Sequence, residues 1–214
     1  MVNIHPVKLA LILVIQFLAY SLIGQTDNQS WSSVRFRSNI DEKTRIDLRP
    51  IVRHINDFST YQNSSIDIVL RRKFGKGWYG QFLARHWFEP NAPNRQFVWG
   101  DLGYVYKNSN ISFTNRLRLH VALDLNDITQ GDFIRYQSSL TPTVSWKAKP
   151  FFAIEPWYQL NGLNKLSRIR YETGLNIPFL KDYNFTFMYR RQDSLNRDHS
   201  SSQNQFVMTL TYTL

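Results

Sequence analysis

The chain has 214 residues, of which 43% are hydrophobic and 15% aromatic, with no cysteine and a formal net charge of +10. This length and apolar content predict one domain of ordinary size rather than two. A mean hydropathy of −0.38 is too polar for a bundle of membrane helices, and the lack of cysteine excludes disulfides, thiolate metal sites and a lipoprotein anchor.

The positive charge consists mainly of arginines set singly or in pairs inside alternating apolar stretches. Examples are VRFRS (34–38), RLRLH (116–120) and RIRY (168–171). No lysine-rich tail, zinc-finger spacing or recognition helix accompanies them. We therefore expect the charge to be spread over folded faces and expect no nucleic-acid partner.

The first 24 residues, MVNIHPVKLALILVIQFLAYSLIG, have the pattern of a secretory signal peptide. Lys8 precedes the apolar run 9–18, and small or polar residues follow, which predicts cleavage near Gly24. An N-terminal membrane anchor is the alternative, although the run is short and interrupted by Gln16. Residues 25–214 are then expected to form a single exported domain.

The rest of the chain divides into β-like runs of about ten residues separated by turn signals, with no helical pattern between them. The predicted strands are 31–40, 44–54, 65–74, 77–88, 96–107, 110–123, 132–147, 150–160, 167–177, 183–193 and 203–214. This pattern predicts an all-β fold.

The later runs separate into two chemically distinct faces. In 110–123, Leu117 and Leu119 share an apolar face, whereas Arg116, Arg118 and His120 share the opposite one. The runs 183–192 and 203–214 alternate in the same way, the last ending in an aromatic and aliphatic face. Because successive side chains of a strand point to opposite sides, each strand has one apolar and one polar face.

The connections alternate between tight and long, as in outer-membrane barrels with short periplasmic turns and longer outer loops. The tight ones are FGKG (74–77), KNSN (107–110), KAKP (147–150) and the segment around FLKD (179–182). The long ones are 56–65, 89–96, 125–132, 160–167 and 193–203. This alternation predicts a closed antiparallel up-and-down transmembrane β-barrel of about 10–12 strands.

The first run, WSSVRFRSNI, does not fit an even number of strands, which single-chain bacterial barrels have. Runs two to eleven would make ten strands with both ends at the periplasmic side. The first run would then lie in the lumen, or the run 132–147 would split and give twelve strands. A soluble barrel or sandwich with its apolar faces inward is the alternative to a membrane barrel.

Several short motifs resemble those of an uncharacterised outer-membrane barrel family filed as domain of unknown function 2490. They are GDLGYVY (100–106), RLRLH (116–120), DFIRY (132–136), FAIEPWYQLN (152–161), RIRYETGL (168–175) and YRRQ (189–192), together with Trp31. The resemblance spans essentially the mature chain and implies an outer-membrane β-barrel in a Gram-negative cell. It supplies no activity and no catalytic residue.

In such a barrel the charged face of each strand points into the lumen, and the apolar face contacts lipid. The candidate lumen residues are Arg116, Arg118, Arg135, Arg168, Arg170, Arg190, Asp101, Asp124, Glu155 and Glu172. Arginines exceed acids in this set. Either the arginines and carboxylates form a hydrogen-bonded network that fills the lumen, or the arginines in excess bind or conduct anions.

The six tryptophans and the tyrosines Tyr79, Tyr104, Tyr106 and Tyr158 lie near run ends, which favours aromatic girdles at the membrane interfaces. Sugar stacking is the alternative interpretation.

No residue pattern indicates catalysis. After export His54, His86, His120 and His199 remain, with no nucleophile elbow, no metal-ligand spacing and no glycine-rich phosphate loop. We expect no enzyme activity, cofactor or metal. The expected partners are outer-membrane lipid and a small anion or polar solute.

The sequence therefore predicts an outer-membrane β-barrel that is a narrow pore with a basic lumen or a structural barrel. The alternatives are an outer-membrane enzyme with a loop-borne site and a soluble periplasmic ligand-binding barrel.

Overall fold

A computed structural model describes residues 26–90, 92–123, 132–160, 164–196 and 201–214. The predicted signal peptide, residues 1–24, lies outside these ranges. Within them, no helix has the length and apolar character needed to cross a membrane.

The described residues form an all-β fold, as predicted. The strands are β1 Thr26–Asn39, β2 Thr44–Ile55, β3 Thr60–Gly75, β4 Trp78–Phe88, β5 Arg95–Lys107, β6 Ile111–Ala122, β7 Phe133–Pro142, β8 Lys149–Gln159, β9 Lys165–Leu180, β10 Tyr183–Ser194 and β11 Ser202–Thr213.

The eleven strands close into one barrel in chain order. Each strand is antiparallel to the next along the chain, and β1 pairs in parallel with β11, from Thr26 opposite Ser202 to Arg37 opposite Thr213. The prediction of a closed up-and-down β-barrel of about 10–12 strands is confirmed, although the antiparallel order that was predicted does not hold between β1 and β11. We call the β1–β11 contact the parallel seam.

The prediction of an even strand number is wrong. The run 31–40 belongs to β1 and lies in the barrel wall, not in the lumen, and the run 132–147 does not split, because β7 ends at Pro142. The parallel seam pairs the free backbone groups of both edge strands, so an odd number of strands also closes without an open edge. β1 fits the wall because Val34 and Phe36 point outward while Arg35 lines the interior.

The two rims of the barrel differ in their connections. The turn rim carries 40–43, 76–77, 108–110, 143–148 and 181–182, and the strand ends at the loop rim are those that flank the connections β2–β3, β4–β5, β6–β7, β8–β9 and β10–β11. The loop predicted over 56–65 is shorter, because β3 begins at Thr60, and its polar residues pair with β4 up to Ser64 opposite Phe88.

The connection between β3 and β4 shows why the turn rim is tight. Gly75 and Gly77 have φ values of 108° and 87°, which favour glycine. A Cβ atom on Gly77 would also lie 2.3 Å from the carbonyl oxygen of Val105. Glycine therefore allows the turn to lie directly against β5.

Large apolar side chains project outward from every strand. In β6, Leu117 and Leu119 are 50% and 48% exposed, whereas Arg118 is 7% exposed. Comparable outward residues on the other strands include Phe36, Leu48, Ile68, Phe82, Leu102, Ile134, Ile154, Phe179, Phe187 and Met208. The barrel thus has apolar side chains outside and charged side chains inside.

The tryptophans do not follow the predicted girdles. Trp78 and Trp146 are exposed at the turn rim, but the other four line the interior: Trp31, Trp87, Trp99 and Trp157. Tyr79, also predicted for a girdle, is 5% exposed. The girdle prediction is wrong for these five residues, because the two-residue period of the strand, not the distance from its end, sets the direction of a side chain.

Candidate functional site: the charged interior of the barrel

A cavity of about 770 Å³ runs through the interior and is lined by residues of all eleven strands. Among the described residues, twelve arginines but only three acidic residues line it, namely Asp47, Glu155 and Glu172. A second cavity of about 510 Å³ lies towards the turn rim and shares Arg35, Asn176 and Thr186 with the first.

Glu155 is the centre of the largest ion-pair cluster. Its carboxylate is 1% exposed and accepts hydrogen bonds from Arg116 at 2.9 Å and Arg135 at 2.8 Å, while the Arg170 guanidinium lies 3.6 Å away. The indole Nε1 of Trp157 donates a further bond at 3.0 Å. One buried carboxylate thus holds three guanidinium groups that would otherwise repel one another.

Four further carboxylates pair with arginines inside the barrel. The two carboxylate oxygens of Asp101 accept hydrogen bonds from Nε and Nη2 of Arg118, at 2.5 and 2.6 Å. Asp47 accepts a similar pair from Arg37 at 2.9 and 3.0 Å. The remaining pairs are Arg190 with Glu172 at 2.7 Å, Arg85 with Asp67 at 2.5 Å, and Arg49 with the same Asp67.

Register explains these pairings. Six of the ion pairs join residues that are direct cross-strand neighbours: Arg37–Asp47, Arg49–Asp67, Arg85–Asp67, Arg118–Asp101, Arg170–Glu155 and Arg190–Glu172. Side chains opposite each other on one face of a sheet lie close enough to bond directly. The alternating sequence therefore builds the charge network strand by strand.

The structure brings the predicted lumen residues together, with one exception. The six arginines, Glu155 and Glu172 line the large cavity, and Asp101 lies beside it as the partner of Arg118. Asp124 lies outside the described residues. The hydrogen-bonded network is present, and twelve arginines surround the cavity beside it.

Sequence reasoning missed part of the interior set, namely Arg35, Arg45, Asp47, Arg49, Arg53, Asp67, Arg85 and Arg95. The signal was present in 44–54, where Arg45, Asp47, Arg49 and Arg53 alternate with Ile46, Leu48 and Val52. The period of two places those charges on one face, as it does in β6.

Guanidinium groups lie over the rings of inward tryptophans. The central carbon of the Arg53 guanidinium lies 3.9 Å from the ring centroid of Trp31 and 4.5 Å from that of Trp87. The guanidinium carbons of Arg135 and Arg170 lie 3.7 and 4.0 Å from the ring centroid of Trp157. Cation–π contacts of this kind position an arginine without neutralising its charge.

His120 belongs to the same aromatic layer. Its ring stacks on Trp99 at 4.7 Å, and neither ring nitrogen has a hydrogen-bond partner among the described residues. Among those residues, no group of three His, Asp or Glu side chains lies close enough together to hold a metal ion.

The interior is asymmetric around the barrel. Bulky aromatic residues, including Trp87, Phe97, Trp99, Phe133 and Trp157, fill the side formed by β4 to β8. Short polar side chains, including Ser33, Thr186, Thr209 and Thr211, lie on the side formed by β1, β10 and β11. The second cavity continues along this side, since it is lined by β1 and β8 to β11 and the β9–β10 turn.

The chain has no significant match to a protein-family model, a curated protein or a solved structure.

Proposed function

We propose that this protein is an outer-membrane β-barrel that provides a narrow passage for small anions. The observation that carries the proposal is the pair of cavities, which share three lining residues and together extend from the loop rim to the turn rim past an excess of arginines. A concave path lined by one sign of charge concentrates ions of the other sign.

The outer surface supports a lipid environment. A ring of exposed aliphatic and aromatic side chains encircles the strands, while the buried charged residues, such as Asp67, Arg118 and Glu155, point inward. In water this arrangement would expose a very large apolar surface, whereas in a bilayer it places each face in its preferred solvent. A closed barrel also pairs the backbone groups of every strand, which lipid requires.

Exposed aromatic residues at both rims agree with this orientation. Phe74, Trp78, Tyr106, Trp146 and Phe179 lie at the turn rim, and Phe58, Tyr61, Phe88 and Tyr158 lie at the loop rim. Aromatic side chains favour the two interfaces of a bilayer. These residues define a girdle different from the one expected from the tryptophans alone.

A structural barrel without conduction is the second candidate. The ion pairs around Glu155 favour it, because they fill one side of the interior with paired charge. Membership in the family of unknown function that the sequence resembles, and export by residues 1–24, stay predictions beside both candidates.

The location is tested by fractionation. We expect the exported chain in the outer-membrane fraction, and we expect its mobility on a denaturing gel to change on boiling, because a closed barrel resists detergent until heated. Recovery in the soluble periplasm would contradict the membrane assignment, and an unchanged mobility would contradict a detergent-resistant barrel.

Conduction is tested with purified barrel in a planar bilayer, where we expect anion-selective conductance that weakens as salt screens the interior charge. Arg35→Gln should reduce the anion preference, because Arg35 lies where the two cavities meet. Arg72→Gln is the matched control, since the Arg72 side chain is 60% exposed outside the cavities and its loss should leave selectivity unchanged. A silent bilayer would support the structural barrel instead.

A further inference from the structure

Arg53 is an exception among the arginines of the large cavity. Ten of the twelve have a carboxylate oxygen within 4.0 Å: Arg35, Arg45, Arg49, Arg85, Arg95, Arg116, Arg118, Arg135, Arg170 and Arg190. Arg168 also has an interaction partner. Arg53 has no carboxylate oxygen within 4.0 Å and no hydrogen-bond partner at Nε or Nη2 among the described residues, although it is only 3% exposed.

The unpartnered atoms of Arg53 form one edge of its guanidinium. Neither Nε nor Nη2 has a hydrogen-bond partner among the described residues. These same two atoms of Arg118 and Arg37 donate to Asp101 and Asp47 in bidentate pairs. The edge that elsewhere in this barrel binds a carboxylate therefore binds no described side chain at Arg53.

The register shows why Arg53 lacks the carboxylate. Its cross-strand neighbours are Trp31 on β1 and Asn63 on β3. Asn63 occupies the place that Asp67 has opposite Arg49, but it presents a neutral amide, and its Oδ1 makes no hydrogen bond to the described residues. Burying a guanidinium without an anion in contact is costly, so an anion that arrives from outside would stabilise this arrangement.

More donors surround the same position. The indole Nε1 atoms of Trp31 and Trp87 and the hydroxyl of Ser65 are also buried without partners in the part of the chain that the structure describes. Ser65 is the cross-strand neighbour of Trp87. A second cation, Arg190, lies 5.1 Å from the Trp31 ring. The donors and the charge match an anion, and no carboxylate among the described residues fills the role.

We propose that Arg53, Trp31 and Trp87 form a binding site for the carboxylate group of a small solute near the loop rim. Both tryptophan rings contact the Arg53 guanidinium, and a planar carboxylate matches its Nε–Nη2 edge with two parallel hydrogen bonds. Arg53 lines the large cavity, and its buried Nε–Nη2 edge has to turn toward that cavity for the solute to bind. This site builds on the proposed anion passage by naming the solute class.

The test measures binding and does not require conduction. Full-length exported barrel in detergent micelles is titrated with sodium acetate against sodium chloride at equal ionic strength, by calorimetry and by tryptophan fluorescence. We expect saturable acetate binding. Asn63→Asp places a carboxylate of the protein beside Arg53 and should weaken acetate binding about tenfold or more.

Thr186→Asp is the matched control. It adds the same charge to the cavity wall on β10, three strands from the β2 strand of Arg53 and beside Asn176, and should leave acetate binding within about twofold. Asn63→Asp should also raise the urea midpoint of unfolding, because it gives a buried guanidinium its partner. If that variant does not fold, Arg53→Gln, which removes the unpaired charge, should abolish the binding.

Equal binding in the wild type and in Asn63→Asp or Arg53→Gln would overturn the site. Equal loss in Thr186→Asp would overturn it as well, since the effect would then reflect general interior charge. Tighter binding of inorganic phosphate than of acetate would overturn the carboxylate assignment. If the barrel binds acetate but shows no conductance, the proposed anion passage is contradicted and the proposed carboxylate site at Arg53 is supported.

Discussion

Glu155→Gln is expected to lower the free energy of unfolding by about 3–5 kcal/mol, because it removes the charge of a buried ion-pair centre. The carboxylate is 1% exposed and faces Arg116, Arg135 and Arg170. Glutamine preserves the shape and can still accept hydrogen bonds, so the loss would report three uncompensated guanidinium groups. Urea titration of the barrel in micelles, with unfolding monitored by tryptophan fluorescence, measures this change in the free energy of unfolding.

Glu89→Gln provides the control for this substitution. Glu89 pairs with Arg95 at 3.3 Å near the loop rim, and both side chains retain contact with solvent. Such pairs contribute about 0–1 kcal/mol. Similar losses in the two variants would show that the interior around Glu155 is as hydrated as the rim, and would contradict the network described above.

Leu117→Arg is expected to destabilise the barrel by about 2–4 kcal/mol in lipid vesicles, since an arginine on the lipid face near the bilayer midplane loses its hydration. Leu117 lies near the middle of β6, is 50% exposed, and is flanked across the sheet by Leu102 and Tyr136. Reversible urea unfolding from phosphatidylcholine vesicles gives the difference from wild type.

Thr186→Arg introduces the same residue on the opposite side of the wall. Thr186 lines both cavities, so the new guanidinium reaches water and should cost much less. If the two arginines were tolerated equally, the outer face would lie in water, and the soluble barrel considered from the sequence would become the better interpretation.

Strand existence and side-chain direction could be predicted where the alternation is strict. In β6, Arg116, Arg118 and His120 alternate with Leu117 and Leu119 without interruption, and the structure separates them as predicted. An error of one residue would have assigned every side chain of the strand to the wrong face, so the agreement along the whole strand supports the assignment. The same logic extends to β2, although its interior charges were not included in the predicted set.

The partner of β1 could not be predicted from local pattern. Its residues alternate like those of any other strand, but its second neighbour, β11, lies more than 160 residues away in the chain. The surroundings of Arg53 could not be predicted either. They depend on Trp31 from β1 and Trp87 from β4 both contacting this residue of β2. Long-range register, not composition, determines both.

The parallel seam determines which compartment each end of the strand array faces. Because β1 and β11 run in the same direction, the array starts at the loop rim with Thr26 and finishes at the turn rim with Thr213. With ten or twelve antiparallel strands, both ends would emerge on one side. In a membrane, a short epitope fused just before β1 would therefore be displayed on the opposite surface of the bilayer from one fused after β11, so the chain itself links the two compartments.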